Sequence, residues 1–189
     1  MKIQVDPEHQ LRLFEKKDVK PLYQLIEQNR DHLREWGRWI KRLKSLNFTQ
    51  KFIEQNTRAY QNFISASSDE TQHPGFQLGI FEGENSELCG MIGYQGIHLI
   101  NRICSIGYWI SHEKEGRGLV TKSCKALIDY SFNVLNFNRI EIQCTVENRR
   151  SRAVPERLNF TREAKLAEFE WKEDEQAYVD HILYRKLRR

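Results

Sequence analysis

The chain has 189 residues, 39% hydrophobic and 30% charged, ordinary proportions for one globular domain, 1–189, with a core of its own. Lys and Arg exceed Asp and Glu by 30 − 26 = +4, a mild excess that suits an anionic ligand or an acidic partner and is no argument for nucleic acid. No apolar run reaches membrane-spanning length, the first residues lack a signal-peptide core, and Cys89, Cys104, Cys124 and Cys144 are too scattered for a zinc site or a disulfide scaffold, so a cytoplasmic setting is expected.

In chain order, "QLRLFE" (Gln10 to Glu15) alternates as a strand does. Asp18 is placed to cap a helix through "VKPLYQLIEQNRDHL", whose buried stripe would be Leu22, Leu25, Ile26 and Leu33. A second helix is expected from near Thr49, turning Phe52, Ile53, Tyr60, Phe63 and Ile64 inward. Between them, "REWGRWIKRLKS" interleaves Trp36 and Trp39 with Arg34, Arg38, Lys41, Arg42 and Lys44; a solvated basic face is preferred there to an RNA site. "SASSDETQHPG" is a polar loop. "FQLGIFE" and "ELCGMIGYQGIHLI" form a hairpin about "GENS", and "ICSIGYWI" is the next strand. Val120, Cys124, Leu127, Ile128, Ser131 and Leu135 then mark one helical face, and "RIEIQCTV" is a strand again. A strand, a helix and a strand in this order make a right-handed parallel crossover. "SRAVPERL" is a short helix, and the last stretch is two strands around "EDEQ". The fold class is therefore α/β (α+β), a mixed, mostly antiparallel sheet with flanking helices.

"HEKEGRGLVTK", from His112 to Lys122, opens the crossover helix on a turn flanked by Gly116 and Gly118 instead of a Ser, Thr, Asp or Asn cap. The first amides of a helix have no intrahelical partner, and the helix dipole adds positive charge there. Arg117 and Lys122 add formal charge, so the turn suits a phosphate-bearing ligand, although two glycines alone read equally as a tight surface turn.

"GYW", "GRG", "N-x-x-S-x-A-V-x-E" and the closing "DHILYRKL" carry a closer likeness. Together they resemble the GNAT superfamily of N-acetyltransferases, and within it the RimJ/RimL branch that acetylates ribosomal-protein N-termini. The resemblance covers essentially the whole chain and is strongest from Met91 to Phe160. It implies a splayed parallel strand pair, opened by a β-bulge near Gly107 to Trp109, in which the pantetheine of acetyl-CoA lies like an added strand. It assigns the coenzyme to Tyr108, Trp109 and Ile110, to the turn Glu115, Gly116, Arg117, Gly118, Leu119, Val120, Thr121 and Lys122, and to Asn148. Glu115 and Val120 depart from the family's pattern, and Glu115 has to turn its carboxylate away from the phosphates. Asn159 stands where the family usually has Gly at a helix end, a place Asn tolerates.

Acetyl transfer needs a neutral amine, so a general base is useful. Many relatives carry a Glu where this chain has Ser105; RimL-like members use one on the strand after the short helix, which here is Glu170. Glu168 is its competitor on the same face by the period of two, and His98, His112 and Tyr184 are weaker alternatives. Ser151 is the implied general acid toward the leaving thiolate. Asn148 and Ser151 are also ordinary helix caps. Cys144 reads as a small core residue, and no metal is expected. The implied acceptor is a protein N-terminus, such as that of a ribosomal protein. A small amine or polyamine, and a non-catalytic CoA-binding module, are the alternatives. No membrane or nucleic-acid partner is expected, and family members range from monomers to larger assemblies.

Overall fold

The computed structural model describes residues 1–37, 40, 43–66, 71–83 and 86–189. Arg38, Trp39, Lys41 and Arg42 of the basic segment lie outside them, as do parts of the "SASSDETQHPG" and "GENS" loops. One sheet runs β1 (Lys2–Gln4), β2 (His9–Arg12), β4 (Gln77–Glu82), β5 (Glu87–His98), β6 (Ile103–Ile110), β7 (Arg139–Thr145), β9 (Ala177–Leu187) and β8 (Thr161–Lys172) from edge to edge, with a short β3 (Gln72–His73) on β5. β6 and β7 pair in parallel through α4 (Leu119–Asn133), the expected crossover, and the other pairings are antiparallel.

The parallel pairing lasts for three residue pairs, from Ile103↔Arg139 to Ser105↔Glu141, and then the strands part. The expected splay is present, but the expected bulge is not where it was placed. β6 pairs with β5 in continuous register from Ser105 to Ile110, and the irregularity in that pair lies between Gln95 and His98, where Gly96 turns to φ +55°.

Apolar faces on both sides of the sheet fix the helices. Cys124, Leu127 and Ile128 of α4 and Val154 of α5 (Arg149–Arg157) bury against one face. Leu22 and Ile26 of α1 (Val19–Gln28), Leu33 of α2 (Arg30–Arg34) and Ile53 of α3 (Leu46–Ser65) bury with Phe81, Leu88 and Met91 on the other. Fully burying one such aliphatic side chain contributes about 1.5–3 kcal/mol, so these stripes dominate the docking of the helices.

Three local expectations are corrected. Asp18 does not cap α1 with its side chain; it accepts from the Arg12 guanidinium at 2.6 and 2.9 Å and from the Glu15 amide at 2.7 Å. The first helix is not continuous. It breaks at Asn29, whose Nδ2 donates to Leu25 O (2.8 Å) while its Oδ1 accepts from the His112 amide (2.8 Å), tying the helix to the glycine turn. The next helix starts earlier than expected, capped by Ser45, and Ile64 points to solvent. Asn159 does take the left-handed conformation, φ +55°, beyond α5.

Candidate active site

Where β6 and β7 part, a cleft of about 950 Å³ opens. Ser105 to Trp109 of β6 and Ile142 to Thr145 of β7 form its walls, α3 covers it with Phe48, Lys51 and Phe52, and Trp36, Leu43 and Lys44 close one end. Asn148, Ser151, Glu170 and His181 line the same space. Ser105 is the last residue of β6 paired with β7 before the opening.

Four predicted site residues outside the glycine turn therefore share one cleft with Glu170: Tyr108, Trp109, Asn148 and Ser151. Ile110 does not line it; it pairs with Gly90 on β5. Tyr108 donates its hydroxyl to the Ser151 carbonyl at 2.8 Å, and burial holds the Tyr108 phenol well above its usual range, so it stays protonated. The Ser151 hydroxyl lies 3.1 Å from Cys144 Sγ and 3.4 Å from the Tyr108 hydroxyl. Burial raises the Cys144 thiol, partly offset by hydrogen bonds from Ser151 and Tyr108, which holds it as the protonated thiol near neutral pH. Asn148 is a helix cap: its Oδ1 accepts from the Ser151 amide at 2.9 Å.

Glu168 leaves the face it was expected to share with Glu170. In the β8–β9 pair Leu166 faces His181 and Glu170 faces Val179, so β8 holds two residues more than β9 between these points. Glu168 takes φ +50° in this bulge, donates its amide to Asp180 Oδ1 at 2.8 Å and is exposed. A regular ladder would have set Glu168 opposite Val179; the bulge brings Glu170 there instead.

The glycine turn lies outside the cleft's lining, at the start of α4. Gly116 and Gly118 both hold φ +74°, and a side chain built on either would meet open space. The first bond of α4 runs from the Lys122 amide to Gly118 O at 3.0 Å, leaving the amides of Leu119, Val120 and Thr121 without an intrahelical acceptor. Leu119 is buried in the core, Arg117 is exposed, the Thr121 hydroxyl accepts from Arg157 at 3.0 Å, and Lys122 reaches Asp6 at 2.9 Å. Glu115 does turn aside, onto His32 Nε2 (2.8 Å), His112 Nδ1 (3.4 Å) and Arg150. The donor atoms of His32, His112 and Glu115 lie within 4.8 Å of one another. Arg150 bonds the same carboxylate, so Glu115 links α2, the turn and α5.

The weaker candidate bases are all elsewhere. His98 bonds Asn101 at a strand end, and His112 faces Glu115. Tyr184 is 1% exposed, donates to Glu156 Oε1 at 2.7 Å and accepts from Arg152 at 3.2 Å. Among the cleft residues not foreseen are His181 and Thr145. His181 sits beside Glu170, and Thr145, its direct cross-strand neighbour, has a buried hydroxyl without a partner among the described residues. The signal for His181 was the "DHILY" segment read against a hairpin around "EDEQ".

The Acetyltransferase (GNAT) domain family matches residues 10–161. The chain belongs to the GNAT acetyltransferases. It is 36% identical over 156 residues to YdaF of Bacillus subtilis (strain 168), named as a ribosomal N-acetyltransferase, covering 82% of this chain and 79% of that one. It is 29% identical to the ribosomal-protein-serine acetyltransferase of Escherichia coli (strain K12) over 185 residues, 98% of this chain and 96% of the relative. Among solved structures, the acetyltransferase superposes on RimL, a ribosomal alpha-N-protein acetyltransferase in complex with coenzyme A, with a TM-score of 0.88 at 26% identity, covering 99% of this chain and 98% of that one. Like the RimJ/RimL branch it resembles, this acetyltransferase is an N-acetyltransferase enzyme. Among the described residues, no helix is long and apolar enough to cross a membrane.

Proposed function

We propose that the chain transfers acetyl from acetyl-CoA directly to the N-terminal α-amine of a protein in the cytoplasm, a ribosomal protein being the leading acceptor. One observation carries this reading: a carboxylate (Glu170) and a hydroxyl (Ser151) enter the same cleft, at the point where β6 and β7 separate. The relatives of higher identity, at 36% and 29%, are named for ribosomal proteins, whereas a spermidine N(1)-acetyltransferase of Escherichia coli (strain K12) matches at 25%. Lys44 and Lys51 in the cleft also disfavour a polycationic acceptor.

The residues fit the coenzyme. Two left-handed glycines with open space beside them and unpaired amides at the start of α4 suit a diphosphate. Bound acetyl-CoA supplies the thioester carbonyl and the thiolate leaving group. Glu170 removes a proton from the acceptor amine, a protein α-amine being largely protonated near neutrality. Ser151 Oγ–H returns a proton to the departing sulfur. β6 beyond Ser105 has lost β7 as a partner and offers main-chain groups to an extended ligand.

Thiol release from acetyl-CoA, measured with ribosomal-protein N-terminal peptides, polyamines and no acceptor, tests this directly. Turnover with peptides alone is expected. Turnover with polyamines alone would replace the acceptor. Calorimetric binding of acetyl-CoA with no turnover on any acceptor would make the chain a binding module.

A further inference from the structure

Glu170 does not face the cleft alone. Its Oε2 lies 3.1 Å from Nε2 of His181 on β9. A carboxylate and an imidazole in contact can act in either order. The carboxylate can orient the ring, whose far nitrogen then takes a proton from substrate. Alternatively, the ring orients the carboxylate, whose far oxygen takes it.

The far nitrogen decides between them. His181 Nδ1 is buried and has no hydrogen-bond partner among the described residues, and the Phe169 ring packs on the imidazole with centroids 4.8 Å apart. The His181 side chain is 12% exposed against 26% for Glu170. An amine in the cleft reaches the carboxylate and not Nδ1. The same burial fixes the tautomer. A proton on Nδ1 would be a buried donor without an acceptor and would leave the Nε2 lone pair facing a carboxylate. A proton on Nε2 makes the 3.1 Å contact a charge-assisted hydrogen bond and leaves only an acceptor unpaired.

We infer that His181 is a positioning residue for acetyl transfer: neutral and protonated on Nε2, it donates to Glu170 Oε2 and keeps Oε1 free for the acceptor amine. This rests on Glu170 being the base. In the step, an ammonium N–H bond breaks, its electron pair stays on nitrogen, and the proton forms an O–H bond at Glu170 Oε1. His181 keeps its own proton throughout, so no charge passes to the ring. The β8 bulge is part of the device, because it seats Glu170, and not Glu168, within reach of His181.

The test compares Glu170→Gln, His181→Phe and His181→Gln in steady-state kinetics with acetyl-CoA and an N-terminal peptide. Glu170→Gln should lower kcat by roughly 100- to 10,000-fold. His181→Phe fills the space without a donor and should lower kcat by roughly 10- to 100-fold, the loss of one charge-assisted hydrogen bond, with KM for acetyl-CoA unchanged. His181→Gln can still donate to Oε2 and should recover most of that loss. Full kcat in His181→Phe beside a collapsed Glu170→Gln would overturn the positioning role and leave the base intact. Full kcat in Glu170→Gln would remove the base and the positioning role with it. Equal damage in His181→Phe and His181→Gln would reduce the ring to packing. Long-range 15N–1H correlation NMR of the histidine-labelled wild type reads the tautomer without any variant: a bare Nδ1 and a protonated Nε2 are expected, and an imidazolium or an Nδ1–H ring near neutral pH would overturn the inference.

Discussion

Gly118→Ala separates backbone strain from ligand exclusion with one methyl group. Gly118 holds φ +74°, and a Cβ there meets nothing within 4 Å, so crowding adds no cost. The left-handed conformation alone costs an L-residue about 1–2 kcal/mol. In a chain of this size, each kcal/mol lowers Tm by roughly 2–4 °C. Gly83, in the β4–β5 turn, is the matched control, with φ +69° and the same open surroundings. Thermal melting should give Gly118→Ala and Gly83→Ala similar losses. If the turn cradles a diphosphate, only the Gly118 methyl enters the anion's space. Calorimetric titration should then show acetyl-CoA affinity lowered by roughly tenfold or more, about 1.4 kcal/mol, in Gly118→Ala alone. Similar melting losses with unchanged acetyl-CoA affinity in both variants would refute the assignment of the turn.

Ser151→Ala should lower kcat more than coenzyme affinity, whereas Asn148→Ala should cost about 1 kcal/mol of stability through its lost cap; the reverse pattern in kinetics and melting would exchange the roles. Asp18→Ala removes the buried carboxylate partner of the Arg12 guanidinium, 9% exposed, leaving it Leu13 O at 3.0 Å and Glu15 at 3.8 Å, and should cost about 3 kcal/mol in urea denaturation. A loss below about 1 kcal/mol would mean that Leu13 O, Glu15 and stacking on Phe81, 3.6 Å away, suffice for the charge. Burial raises all four thiols, Cys89 to about 12, so near neutral pH they stay protonated and iodoacetamide should label them only after unfolding. Rapid labelling of Cys144 in the native protein would contradict its description as a protonated thiol.

Local signals marked the elements best where they agreed with one another. "ICSIGYWI" is bounded by turn residues on both sides, and β6 spans the same residues. The glycine turn announced the start of α4 because a left-handed backbone needs glycine wherever the chain lies. Misses occurred where a distant partner decided the outcome. Asn29 breaks the first helix because its amide is shared between Leu25 and His112, and no helical period records His112. Asp18 looked like a cap because the guanidinium that claims it comes from the preceding strand, β2, which lies outside the helical pattern. Glu170 was singled out through resemblance, while the rival status of Glu168 rested on a strict period of two that the β8 bulge breaks. His181 escaped notice because its meaning depends on which β8 residue the same bulge sets beside it.

The bulged β8 has a second consequence, for self-association. β8 ends the sheet, so its outer backbone groups have no neighbouring strand among the described residues. A straight edge of this kind is a template on which another copy can pair. Here the register shifts twice, between Arg162 and Ala164 and again between Leu166 and Glu170, and Arg162, Glu163, Lys165 and Glu168 place exposed charges along the same strand. An incoming strand could follow it for only a few residues before losing register, and would meet charge on the way. The irregularity that sets Glu170 in the cleft thus also makes this edge a poor template for another strand.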